Sequence, residues 1–149
     1  MASKTEIAHS DWYLALLGQP PVGPLFARFS DEFGLEPWDG KNGWVEAPEG
    51  VSVRVRDGRI WAIIFLVAPQ HGYTGCIGTL PFGLKQNMVR EDVLRHLGTP
   101  MESRRSREDS ALPPVSIDIY DAGAAELIVE TGITDKTLRA VRLQLHIAA

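Results

Sequence analysis

Leu16-Leu17-Gly18-Gln19-Pro20 and His96-Leu97-Gly98-Thr99-Pro100 repeat one phrase. Each closes a short helical pattern with a glycine, and a proline then forbids its continuation. Each copy leads, after a spacer, into a run in which apolar residues occupy every second position. The repetition predicts an α+β fold of two pseudo-repeated halves whose strands build one sheet. A chain of 149 residues is long enough for one core shared by both halves.

Working outward from the first copy, Ser10 is placed to cap a helix over 11–17, with Asp11 in the turn that the helix dipole favours. A second helix begins near Pro24. Leu25, Phe26, Phe29 and Phe33 recur at helical spacing, and Gly34 ends it. The stretch 38–50 has loop character, with a short strand at Trp44-Val45. The period then changes to two: Val51, Val53 and Val55 alternate with Ser52, Arg54 and Arg56. Asp57-Gly58 is a hairpin turn. The return strand, 59–67, is nearly all apolar and is expected to be central, covered on both faces.

The second half follows the same plan after a glycine-rich linker, 69–83. Asn87 is expected to cap a helix reaching Leu97, with Met88, Val89, Val93 and Leu97 on its core face. The stretch 101–114 is polar, prolyl and charged, which predicts a loop. Val115, Ile117 and Ile119 alternate with Ser116, Asp118 and Tyr120. Asp121-Ala122-Gly123 turns the chain, and Ala125, Leu127 and Val129 form the next inward row. Val141, Leu143, Leu145 and Ile147 form the last row. The expectation is a mainly antiparallel sheet of five to seven strands with helices on one face. It forms a single domain over 1–149, with half one at about 10–68 and half two at about 84–147.

Composition narrows the function classes. The net charge of -4 argues against general nucleic-acid binding. With Cys76 as the lone cysteine, no intrachain disulfide and no zinc-holding cysteine cluster can form. No stretch reaches the length of an apolar membrane helix. Residues 1–9 carry neither an apolar run nor a lipid-attachment cysteine, so a cytoplasmic location is expected.

The run from Leu80 through Gly83-Leu84, Val93 and Leu97-Gly98-Thr99-Pro100 resembles a motif of two families. These are the tandem-repeat β-lactamase inhibitor proteins and the small outer-membrane assembly lipoproteins. Gly83-Leu84 matches the opening glycine and its apolar neighbour, Val93 the buried helical valine, and Leu97 to Pro100 the helix stop. In the first half only Leu17-Gly18-Gln19-Pro20 matches. The whole pattern also resembles, more loosely, the cytoplasmic immunity partners of bacterial secreted toxins. The resemblance implies scaffolding and a protein-binding surface on the sheet face or the connecting loops.

No dense polar centre is visible. His9, His71, His96 and His146 are scattered, without the close spacing of a metal-binding helix. Cys76 between Gly75 and Ile77-Gly78 lacks a placed histidine to activate it. Gly72, Gly75 and Gly78 do not have the order of a phosphate loop, and are expected to let the chain pass close to a helix or sheet edge. No catalytic, metal or cofactor residue is assigned.

The binding candidates lie elsewhere. Asp31, Glu32, Glu36, Asp39, Glu46 and Glu49 gather against one Lys41, either as a solvated loop or as a docking patch for a basic protein. Trp38 and Trp44 stand in that acidic stretch, where they either seal the core edge or meet a partner. Tyr73 and Tyr120 are weaker candidates of the same kind. Arg104, Arg105 and Arg107 suit a solvated loop. The expected function is non-enzymatic protein binding through Trp38, Asp39, Trp44, Glu46, Glu49, Tyr73 and Tyr120. Its concrete form is an immunity protein that occludes the active site of a basic toxin domain, without nucleic acid, membrane or cofactor. The alternatives are an accessory domain of a bacterial assembly, a small hydrolase built on Cys76, and a small ligand on the sheet face.

Overall fold

The computed structural model describes residues 12–68, 74–76, 78–106 and 114–146. A 3-10 helix, Trp12–Leu16, precedes helix α1, Pro24–Phe33. A meander follows of β1 (Trp44–Glu46), β2 (Val51–Arg56) and β3 (Arg59–Leu66). The second half opens with a 3-10 turn, Pro81–Gly83, and helix α2, Arg90–Leu97. Its strands are β4 (Glu102–Arg105), β5 (Val115–Asp121), β6 (Ala125–Gly132) and β7 (Leu138–Leu145). All seven join one antiparallel sheet in the order β1-β2-β3-β7-β6-β5-β4. The last strand of each half meets the other at the centre, so two similar halves share one continuous sheet. The fold is α+β, as the alternating patterns predict.

Both copies of the repeated phrase stop a helix and dock on a strand. The Gly18 N–H donates to the Ile60 carbonyl at 2.7 Å, and Ile60 returns a bond to Gln19 at 2.8 Å. In the second copy, Met101 donates to Ile119 at 2.8 Å and the Tyr120 hydroxyl donates to the Gly98 carbonyl at 3.1 Å. Gly18 and Gly98 both take positive φ, 85° and 91°, which glycine adopts without strain. The copies are not equivalent in place: the first braces the last strand of its half, the second braces β5.

Helices cover one face. Phe26, Phe29 and Phe33 of α1 are buried, and Tyr13, Phe29, Phe33 and Phe65 form an aromatic knot with ring centroids 4.7–6.2 Å apart. The knot sits on Val51, Val53 and Ile63, and the core continues through Leu127, Val129, Val141 and Leu143. Gly78 lies against Phe33, where an added Cβ would come 2.5 Å from the ring. This fits the expectation that the linker glycines allow a close approach. At Asp57-Gly58 both residues have positive φ, 54° and 73°, as a two-residue hairpin requires.

Five local expectations are corrected. The stretch 101–114 is not all loop: β4 pairs with β5 through Glu102–Arg105. The first helix is a 3-10 helix over Trp12–Leu16 rather than a helix over 11–17. Asn87 does not cap α2. Val89 bridges Thr137, Leu138 donates to Met88 and Arg90 donates to Lys136, so strand-like pairing holds 88–90 and the helix starts later. The Asp92 carboxylate then accepts the Val89 N–H at 3.2 Å. β3 is central, but the helices cover only one of its faces; Ile64 and Leu66, on the other, are half-buried.

The fifth correction concerns β5. Its alternation is inverted relative to the apolar reading: Asp118 and Tyr120 pair with Val129 and Leu127 on the helix side, while Ile117 and Ile119 face away. Asp118 is 1% exposed. It is held by a two-pronged bond from Arg90 of α2, Nε to Oδ2 at 2.9 Å and Nη2 to Oδ1 at 3.0 Å. The Ser103 hydroxyl adds a third bond at 2.6 Å. An acid can sit inside here because its charge is paired and its oxygens are bonded.

Candidate functional site

The sheet ends at β1, and the loop leading into it folds back on itself. Asp39 Oδ1 accepts the backbone N–H groups of Lys41 at 2.8 Å and Asn42 at 2.9 Å, and Oδ2 accepts the Asn42 side-chain amide at 2.8 Å. These bonds, the one from the Asn42 backbone foremost, hold the Asp39 carboxyl below its ordinary range and keep it ionised. The Trp38 indole donates to the Asn42 carbonyl at 2.8 Å, so the ring is fixed half-buried over the turn. Trp44 and Glu46 share one face of β1, because Val45 between them points into the core. Trp44 is 48% exposed. Trp38, Asp39, Trp44 and Glu46 thus meet around a shallow hollow of about 160 Å³, with Glu36 on its rim.

The other candidates fall apart from this group. Glu49 is half-buried in the β1–β2 connection, where its carbonyl accepts the Gly75 N–H at 2.9 Å. Tyr120 is fully buried on the helix side of β5, which removes it from any outward contact surface. Tyr73, His9, His71 and Arg107 lie outside the described residues. Arg104 and Arg105 are exposed on the edge strand β4. Trp61 is half-buried beneath the Arg56 guanidinium, 4.4 Å from the ring centroid, a sheet-face anchor.

Cys76 is 1% exposed, and burial pushes its thiol up to about 11. At neutral pH it stays protonated. His96 and His146 are each bonded to a backbone carbonyl, of Phe82 at 2.8 Å and of Gly123 at 3.0 Å. Among the described residues no three His, Cys, Asp or Glu side chains gather as a metal site, and no helix is long and apolar enough to cross a membrane. A broad groove runs along Leu97-Gly98-Thr99-Pro100. Its Arg90 is bonded to Asp118, and its Arg95 pairs with Glu91 at 3.2 Å and Asp92 at 3.3 Å.

Comparison with known proteins adds little to this geometry. No protein-family model matches the chain, and no curated protein matches it. Among solved structures, a DUF4309 family protein, YjgB from Bacillus subtilis, is similar at 20% identity and a TM-score of 0.44. The match covers 98% of this chain and 87% of that one.

Sequence reasoning missed two features. One is the Arg90–Asp118 pair, whose partners are far apart in sequence. The other is a cluster of arginines on the helix-free face, Arg54 on β2 and Arg142 on β7. Near Arg142, burial pushes the Glu130 carboxyl up while the guanidinium pulls it back. The alternation Ser52-Val53-Arg54 and Val141-Arg142-Leu143 marks these arginines as facing away from the helices. It does not show that both line one hollow with the half-buried Ile64 and Leu66.

Proposed function

We propose that this chain is a protein-binding domain that receives a basic partner on its β1 edge. The observation that carries this reading is Trp44, 48% exposed beside the pinned Trp38, in a hollow rimmed by Glu36, Asp39 and Glu46. Exposed indole surface is costly in water and is enriched at binding hot spots. A rigid turn means that little ordering entropy is lost on contact. The acidic rim supplies attraction for lysine and arginine side chains and speeds encounter with a basic surface. The most specific form of this reading is a cytoplasmic immunity protein that covers the active site of a basic toxin domain. Such inhibition is steric and requires no bond-making chemistry from this chain.

Affinity capture from the source organism tests the proposal. The comparison is between the full chain and a Trp44→Ala/Glu46→Lys variant of unchanged melting temperature. The wild type should retain a partner with a basic contact surface, and the variant should bind it about tenfold or more weakly. Equal affinity for that partner would remove the β1 edge as the docking surface.

A further inference from the structure

The helix-free face holds a second feature, which shares only Glu46 with the docking edge. Glu46, Ser52, Ile64 and Arg142 are successive cross-strand neighbours on β1, β2, β3 and β7. Arg54, two residues along β2 from Ser52, shares their face. With Leu66, these side chains line a cavity of about 250 Å³. Ser52 is 7% exposed, and its Oγ has no hydrogen-bond partner among the described residues. The buried Nε groups of Arg54 and Arg142 have none either.

Buried hydroxyl and N–H groups without partners are costly, and native proteins rarely keep several at one place. Here three of them belong to residues that line one hollow, whose wall also holds the apolar Ile64 and Leu66 and the acid Glu46. Among the described residues, two guanidinium groups against the single carboxylate of Glu46 leave the lining one positive charge in excess. Guanidinium is weakly hydrated and shaped to grip a carboxylate with two parallel bonds. The volume is below that of pockets for drug-sized ligands, which restricts the occupant to a short chain or one ring.

We propose that this cavity binds an organic monocarboxylate carrying a compact apolar group. The carboxylate is received by Arg54, Arg142 and the Ser52 hydroxyl, and the apolar group lies against Ile64 and Leu66. The single excess charge matches a monoanion. Glu130, the acid within electrostatic reach of Arg142, is not part of the lining.

Calorimetric titration of the full chain with sodium octanoate tests this, with octanamide and acetate as controls at fixed ionic strength. Octanoate should bind saturably, and both controls about tenfold or more weakly, since one lacks the charge and the other the apolar group. Arg142→Met and Ser52→Ala should each weaken octanoate binding several-fold to about tenfold at unchanged melting temperature. If Arg142→Met does not fold, Arg54→Met makes the same test. Equal affinity for octanoate and octanamide, absence of saturation, or full octanoate affinity in the folded variants would overturn the proposal.

Discussion

Phe29→Ala should lower the unfolding free energy by about 3–5 kcal/mol, the largest effect of any single truncation in the first half. Phe29 is completely buried and lies at the centre of the aromatic knot: stacked on Tyr13 at 5.3 Å, edge-on to Phe33 at 4.7 Å, and 6.2 Å from Phe65. Its loss removes apolar burial and leaves a cavity between α1 and the sheet. The neighbours cannot collapse into the space. Phe33 is also packed against Gly78, and the Tyr13 hydroxyl is tied to the Thr79 carbonyl at 2.6 Å. Aromatic pair contacts beyond simple burial are lost as well. Denaturant unfolding should show a lower midpoint with an unchanged slope. A loss below about 1 kcal/mol would mean that α1 is not anchored as described.

Arg90→Met should cost about 3–5 kcal/mol, because it leaves the Asp118 carboxylate buried without its counter-charge. The arginine is one-third exposed, so water entering its place reduces the penalty toward the lower end of that range. The acid is not: at 1% exposure its one side-chain partner besides Arg90, among the described residues, is the Ser103 hydroxyl. The double variant Arg90→Met/Asp118→Leu should recover most of the loss, since the unpaired charge goes with its partner. A double-mutant cycle in urea measures this coupling. Additive effects of the two substitutions would show that the pair does not act as a unit.

The elements legible in the sequence are those where local pattern and burial agree. Val51-Val53-Val55 alternates because β2 turns one face to the helices, and Asp57-Gly58 turns because two successive residues there need positive φ. Phe26, Phe29 and Phe33 share a helical face. β4 was illegible because Glu102-Ser103-Arg104-Arg105 has no apolar alternation. At the sheet edge and exposed along its length, it is specified by backbone pairing with β5 and by the inward bond of Ser103 to Asp118 rather than by apolar burial. β5 misleads for the opposite reason. Its isoleucines suggest the core, yet Asp118 and Tyr120 take that side because Arg90 and the Gly98 carbonyl, both remote in sequence, satisfy them. Of the candidate site, Trp38, Asp39, Trp44 and Glu46 converge because they border one turn and one short strand. Tyr120 fails because strand polarity cannot be read from alternation alone when a buried ion pair is present.

The β1 edge is the proposed contact for a basic partner. Amide hydrogen exchange of the full chain, alone and saturated with the partner it captures, tests that most directly. New protection is expected over 36–46, in the turn that carries Trp38 and Asp39 and in β1 itself, with β4 unchanged. Protection confined to β4 or to the groove along 97–100, with 36–46 exchanging as in the free chain, would contradict it.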